Sequence, residues 1–173
     1  FGLNLKRDDE NGLHCKAEEK EQFLEEIKKF ENAYERYAEI CEKKEIRNSL
    51  VTAREIGYAN NTVYYVMNYS EGESYSEWEK KNCVNLDRES LKSFFKMVYK
   101  VSDIIGKIHN NEMLYLDLKP ENIWIADGTE SVVQLFDFDT SIDMKDIKAS
   151  EKINKVAYSL GYAAQEMIHE KIS

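Results

Sequence analysis

A chain of 173 residues is long enough for one sizeable core or two small lobes. With 42% hydrophobic and 33% charged residues, its composition is globular and excludes a disordered chain. A net charge of −9 without a basic stripe excludes a nucleic-acid backbone as partner, and no run of about eighteen apolar residues is present to span a membrane.

Cys15, Cys41 and Cys83 show no paired spacing. That argues against a disulfide framework and against a zinc site, and makes a reducing cytoplasm the simpler expectation. No signal-peptide pattern opens the chain, which begins mid-strand in character.

The first element is a hairpin. Phe1 to Arg7 reads as extended, Asp8 to Gly12 as a turn closed by Asn11-Gly12, and Leu13 to Ala17 as the return strand. A long helix follows, because Phe23, Ile27, Phe30, Tyr34, Tyr37 and Cys41 recur at three- and four-residue spacing. Its other face is dense in Glu and Lys, with pairs such as Glu25 and Lys29 at helical contact distance, and reads as solvated.

Leu50 to Ile56 and Val63 to Met67 are expected as strands joined across Gly57 and the Asn60-Asn61 turn. Asn68 to Gly72 reads as a linker, with a lobe boundary near Tyr69 to Glu73. Ser74 and Glu77 have the spacing of a capping box opening a short helix through Lys81. Leu91, Phe94, Phe95, Val98, Ile105 and Ile108 mark a second long amphipathic helix, ending near Asn110-Asn111. Short strands are expected at Leu114-Tyr115, Ile123 to Ala126 and Val132 to Phe136, with a turn at Asp127-Gly128. Thr140 to Leu160 lacks periodicity and reads as a long functional loop, and a helix begins between Gly161 and Ile172.

The chemistry concentrates in Leu116 to Ile123 and Leu135 to Asp139. Asp117 stands just after a strand-like dipeptide, in a turn fixed by the sole proline, Pro120. An aspartate there can orient a hydroxyl and accept its proton. Asn122 and Asp137 offer hard oxygen ligands of the kind that suit magnesium carried in on a nucleotide, and Lys119 can neutralise a transferring phosphoryl group. A lone Asp in a turn is ordinarily a cap. The combination Asp-x-Lys-Pro-x-Asn followed by Asp-Phe is far more specific.

Those motifs resemble the eukaryotic-type protein kinases, a family that also occurs in bacteria. Tyr115 to Asn122 is similar to the catalytic loop, with Tyr115 and Leu116 in place of its usual His-Arg. Asp137-Phe138-Asp139 is similar to the metal-binding Asp-Phe-Gly, with Asp139 in place of glycine, and Tyr162 to Glu166 resembles the end of the activation segment. The resemblance implies Asp117 as catalytic base, Lys119 as its partner and mark of the serine/threonine branch, and Asn122 and Asp137 as metal ligands. It implies Lys16 as the phosphate-holding lysine and Glu26, or Glu25 one step away, as its ion-pair partner. Met67 would be the gatekeeper, the backbone around Asn68 and Tyr69 would meet adenine, and Ser159 and Tyr162 would dock the substrate. Phe1-Gly2 resembles the tail of a glycine-rich loop, and Asn4 sits where a valine usually covers adenine.

The implied fold is α+β and bilobal. Residues 1–69 would form a small β-rich N-lobe with one long helix, and residues 70–173 a partial helical C-lobe, the domain being cut at both ends. The implied activity is transfer of the ATP γ-phosphate, with Mg2+, to a Ser/Thr hydroxyl of a protein substrate. The alternatives are a truncated, catalytically inactive binding scaffold, or a small-molecule phosphotransferase. Against the last stand Lys119-Pro120-Glu121-Asn122 and the Ser159 to Glu166 segment.

Overall fold

The computed structural model describes residues 6–8, 12–14, 16–83, 87–126, 132–145, 159 and 161–168. Phe1-Gly2, Asn4, Asn11, Cys15, the Asp127-Gly128 turn and most of the stretch from 146 to 160 lie outside the described residues.

Strands β1 (Lys6–Asp8) and β2 (Gly12–His14) pair antiparallel, from Lys6 against His14 to Asp8 against Gly12. The expected hairpin is present, and its pairing reaches two residues that the sequence assigned to the turn. Helix α1 (Lys20–Cys41) follows. Its apolar stripe is not buried evenly: Ala33, Tyr37, Ile40 and Cys41, in its second half, enter the core, while Phe23, Ile27 and Phe30 are only partly covered.

Strands β3 (Ala53–Ala59) and β4 (Thr62–Met67) form a second antiparallel pair. Asn60 and Asn61 make the two-residue turn, with φ of 52° and 55°, the left-handed geometry that matches the twist of a hairpin. The third strand starts later than its apolar run. Leu50 and Val51 instead turn into the core, where Leu50 bridges Leu135 in parallel and the Val51 N–H donates to the Leu135 carbonyl at 3.3 Å.

The expected linker ends one residue early: Gly72 opens strand β5 (Gly72–Ser74), the edge of a three-stranded sheet with β7 (Ile123–Ala126) and β8 (Val132–Leu135) in the order β5-β7-β8. Helix α2 (Tyr75–Asn82) opens with a complete capping box: the Ser74 hydroxyl accepts from the Glu77 N–H, and the Glu77 carboxylate accepts from the Ser74 N–H, both at 3.3 Å. Helix α3 (Arg88–Asn110) is capped by Asp87, which accepts from the Ser90 N–H at 2.8 Å. Strand β6 (Met113–Leu114) pairs with β9 (Ile142–Asp143), a strand inside the stretch expected to be a loop. A short helix α4 (Gln165–Ile168) lies near the end of the chain.

One core joins α1, α2, α3 and the three-stranded sheet through Tyr37, Trp78, Met97, Ile108, Ile125 and Leu135. The stripe on α3 divides. Met97, Val101, Ile104 and Ile108 are buried, whereas Leu91, Phe94, Phe95 and Val98 are exposed, with Phe95 at 65% and Tyr99 at 75%. Short antiparallel sheets packed on two long helices give the α+β architecture expected from the sequence. No helix among the described residues is long and apolar enough to cross a membrane.

Candidate active site

After β6 the chain passes through Asp117 to Lys119, which is extended, and Pro120 then starts a single 3-10 turn, Pro120–Asn122. Proline suits that first position because its missing N–H has no partner there. The Asn122 N–H closes the turn on the Lys119 carbonyl at 2.9 Å. The turn returns the Asn122 side chain to Asp117, where Nδ2 donates to the Asp117 carbonyl at 3.0 Å and to Oδ2 at 3.2 Å. Lys119 Nζ bonds the same carboxylate oxygen and also donates to Ser159 Oγ at 3.0 Å.

Asp117 is 7% exposed and Asn122 3%. Burial alone would push the Asp117 carboxyl up. The hydrogen bonds from Lys119 and Ser159, the Lys119 charge and the Asn122 amide outweigh it and hold the carboxyl below its usual range. The Asp117 hydrogen bond and charge in turn raise Lys119. One carboxylate oxygen is thus fully engaged, while the buried Oδ1 has no hydrogen-bond partner among the described residues. A buried acceptor left open is costly, and an incoming hydroxyl would satisfy it.

The second acid is delivered by β8. The Phe136 N–H donates to the Asn122 carbonyl at 3.3 Å, and the Tyr115 hydroxyl to the Phe136 carbonyl at 2.7 Å. Asp137 then adopts φ 63°, a left-handed conformation uncommon for residues other than glycine. Phe138 is buried between two rings, Tyr37 of α1 at 4.5 Å and Tyr115 at 4.8 Å between centroids. Asp139 Oδ1 accepts from the Tyr65 hydroxyl at 3.4 Å.

The Asp137 charge reaches Tyr115, Lys119, Tyr65 and Asp139, so the two motifs converge on one electrostatic site. Desolvation, then the Asp137 charge, lift the Tyr115 hydroxyl well above its ordinary value. Asp139 is exposed as a residue, yet desolvation and then the Asp137 charge raise its carboxyl too.

The residues expected around a nucleotide are arranged differently from the expectation. Lys16 Nζ lies 3.7 Å from Glu18, and Glu26 bonds Lys29 Nζ at 2.6 Å, so the expected Lys16–Glu26 ion pair is not formed. Glu26 sits three turns before Tyr37, the α1 residue that touches Phe138, roughly 16 Å along the axis at about 1.5 Å per residue. Met67 ends β4 opposite Ala53. The Asn68 N–H donates to the Thr52 carbonyl at 2.9 Å, and its side-chain oxygen accepts from Arg54. Tyr69 is exposed. Tyr162 is exposed, and its N–H donates to the Ser159 carbonyl at 3.2 Å.

Tyr37 and Tyr65 were not singled out as site residues by their sequence positions. Tyr37 read as one apolar helix position among six, and Tyr65 as one residue of a Tyr64-Tyr65 strand. Alternation along β4 could have separated Tyr65, partly buried, from the exposed Tyr64.

No cluster of three or more His, Cys, Asp or Glu that could hold a metal exists among the described residues. Asp137 and Asn122 offer one carboxylate and one amide oxygen, and both Asn122 bonds to Asp117 use Nδ2, not that oxygen. Such a set does not make a protein cage. It does fit magnesium, which commonly takes one or two protein oxygens and completes its octahedron with phosphate and water.

The family model described as protein kinase domain matches residues 5–173. An Aurora kinase of Debaryomyces hansenii is 26% identical over 112 residues, 64% of this chain and 25% of that protein. Among solved structures, "PpkA-294 apo form" superposes with a TM-score of 0.62 at 15% identity, over 85% of this chain and 49% of that one. The chain thus spans about half or less of the length of these two relatives.

Proposed function

The chain belongs to the protein kinase domain family, and on that premise we propose that it transfers the γ-phosphate of ATP to a serine or threonine hydroxyl of a protein substrate. The observation that carries this reading is the state of Asp117: one oxygen held by Lys119 and Asn122, the other buried and without a partner among the described residues. The open oxygen receives the substrate hydroxyl and takes its proton as the oxygen attacks phosphorus. Because the carboxyl is held below its usual range, it is ionised at neutral pH. Lys119 balances charge on the phosphoryl group, and its bond to Ser159 ties the catalytic turn to the segment that carries Tyr162. Asn122 and Asp137 would hold Mg2+, which screens the phosphate charge when bound. Most of the rate gain is positioning and charge stabilisation.

Lys119 beside Asp117 supports the serine/threonine class. The separate β3–β4 and β5-β7-β8 sheets support a lobe boundary at 69/70, with adenine meeting the backbone near Asn68 to Ser70. The acidic chain favours basic protein substrates, and three cysteines without paired spacing suit the cytoplasm.

The test is phosphate transfer from ATP and Mg2+ to a generic basic protein, compared with Asp117→Asn. Transfer is expected for the native chain and absent in the variant; equal transfer by both would sink the assignment. A second reading, a non-catalytic binding scaffold, is favoured by the separate ion pairs of Lys16 and Glu26. A native chain whose melting temperature ignores ATP and Mg2+ would point to that reading.

A further inference from the structure

Asp137 holds a left-handed backbone that only its neighbours can enforce. On its upstream side, Phe136 is pinned at both backbone groups, by the Asn122 carbonyl and the Tyr115 hydroxyl. Phe138, downstream, is wedged between Tyr37 and Tyr115. Asp139 makes a different contact. It reaches across to β4, where its Oδ1 accepts from the Tyr65 hydroxyl. Glycine, which the family resemblance places at this position, has no side chain to make that bond.

Tyr65 is itself held. Its ring lies 5.1 Å from Phe30 and 5.9 Å from Tyr34, both on α1. Two aromatic routes therefore run from α1 to the segment flanking Asp137. One goes through Tyr37 to Phe138, and the other through Phe30 and Tyr34 to Tyr65 and Asp139. Glu26 contributes no such route: its carboxylate bonds Lys29 on the same helix.

We propose that Tyr65 and Asp139 form a latch that fixes the Asp137 segment against α1, making both positioning residues for the metal–nucleotide complex. The proposal rests on the reading that Asp137 serves nucleotide-borne magnesium. The latch acts through a hydrogen bond, so an amide at 139 suffices, whereas a charge acting on the cation would require the carboxylate.

The experiment is titration of ADP, with and without Mg2+, into the native protein and the variants Tyr65→Phe, Asp139→Ala, Asp139→Asn and the double Tyr65→Phe/Asp139→Ala. Tyr65→Phe and Asp139→Ala should each weaken Mg-ADP binding about 3- to 10-fold, the worth of one hydrogen bond. The double variant should be no weaker than either single, Asp139→Asn should stay near native, and metal-free ADP affinity should not move. Multiplied losses in the double variant overturn the latch. So does an Asp139→Asn as weak as Asp139→Ala beside an unaffected Tyr65→Phe. If the native chain shows no metal-dependent ADP binding, it is the proposed function that fails. Amide hydrogen exchange at residues 136–141 then decides the latch. Faster exchange in Tyr65→Phe and Asp139→Ala than in the native and Asp139→Asn proteins supports it, and equal rates overturn it.

Discussion

The ring of Phe138 lies against the ring of Tyr37, with centroids 4.5 Å apart and planes at 25°. That stack joins the Asp137-Phe138-Asp139 segment to the buried half of α1. The Tyr37 hydroxyl continues inward and bonds the Val51 carbonyl, so one side chain ties together α1, the segment before β3 and the site. Burial raises that hydroxyl far above its ordinary value, which keeps it a donor at any working pH.

Removing the ring and removing the hydroxyl should therefore differ sharply. Tyr37→Ala leaves a core cavity and should cost about 3–5 kcal/mol. Tyr37→Phe keeps the stack and loses one hydrogen bond, about 1 kcal/mol. Urea unfolding midpoints measure both. Equal midpoints would mean that the Tyr37–Phe138 contact contributes nothing beyond the bond to Val51.

Gly72 marks a position where no side chain fits. Its φ is +148°, and an added Cβ would stand 2.1 Å from the Ile125 carbonyl oxygen, a backbone atom of the neighbouring strand. The β5–β7 pairing and the capping box that begins at Ser74 both follow directly from it. Gly72→Ala should destabilise by about 1–3 kcal/mol through strain and a displaced strand. Thermal unfolding unchanged by the substitution would show that β5 can shift without loss.

The depressed Asp117 carboxyl has a pH signature of definite sign. A group whose folded value lies below its unfolded one stabilises the fold above the unfolded value, about 3.9 for Asp. That stabilisation is lost as pH falls through the folded value. The stability difference between the native protein and Asp117→Asn should therefore be constant from neutrality down to about pH 5 and shrink below pH 4. A difference that persists undiminished at pH 2 would show that Lys119 and Asn122 do not hold the carboxyl down.

What the sequence revealed and what it hid follow one physical division. Local chemistry was legible. Asn60-Asn61 forces a left-handed turn, Ser74 and Glu77 cap each other, and Pro120 shapes the turn that brings Asn122 to Asp117. Periodicity located the long helices but not which turns are buried, because that depends on partners distant in the chain. Hence α1 buries Tyr37 and not Phe23, and Leu91, Phe94, Phe95 and Val98 on α3 stay exposed beside a separate buried stripe. Glu26, which bonds Lys29, meets the same limit: a helical face can be read from spacing, but the turn that meets Phe138 is set by packing more than a hundred residues away. Strand β9 carries no pattern at all in its two residues and exists because β6 pairs with it.

Lys119 is where these elements meet, and its removal is the most informative single change for the chemistry. It bonds Asp117 and Ser159 and feels the charge of Asp137. The largest influence on the Asp117 carboxyl is burial, which raises it, and the Lys119 hydrogen bond and charge are among the opposing causes. Lys119→Met leaves burial less opposed, so the carboxyl should rise and the acid limb of the rate profile should move to higher pH. Loss of the cation beside the transferring phosphoryl group should lower kcat about 10²–10³-fold. Ser159→Ala keeps the cation and should lose less than Lys119→Met, with a smaller shift of the acid limb. Phosphate-transfer rates from pH 5 to 9 for the three proteins separate these effects. A Lys119→Met enzyme with native kcat and an unmoved acid limb would remove Lys119 from the mechanism and leave Asp117 without its counter-charge.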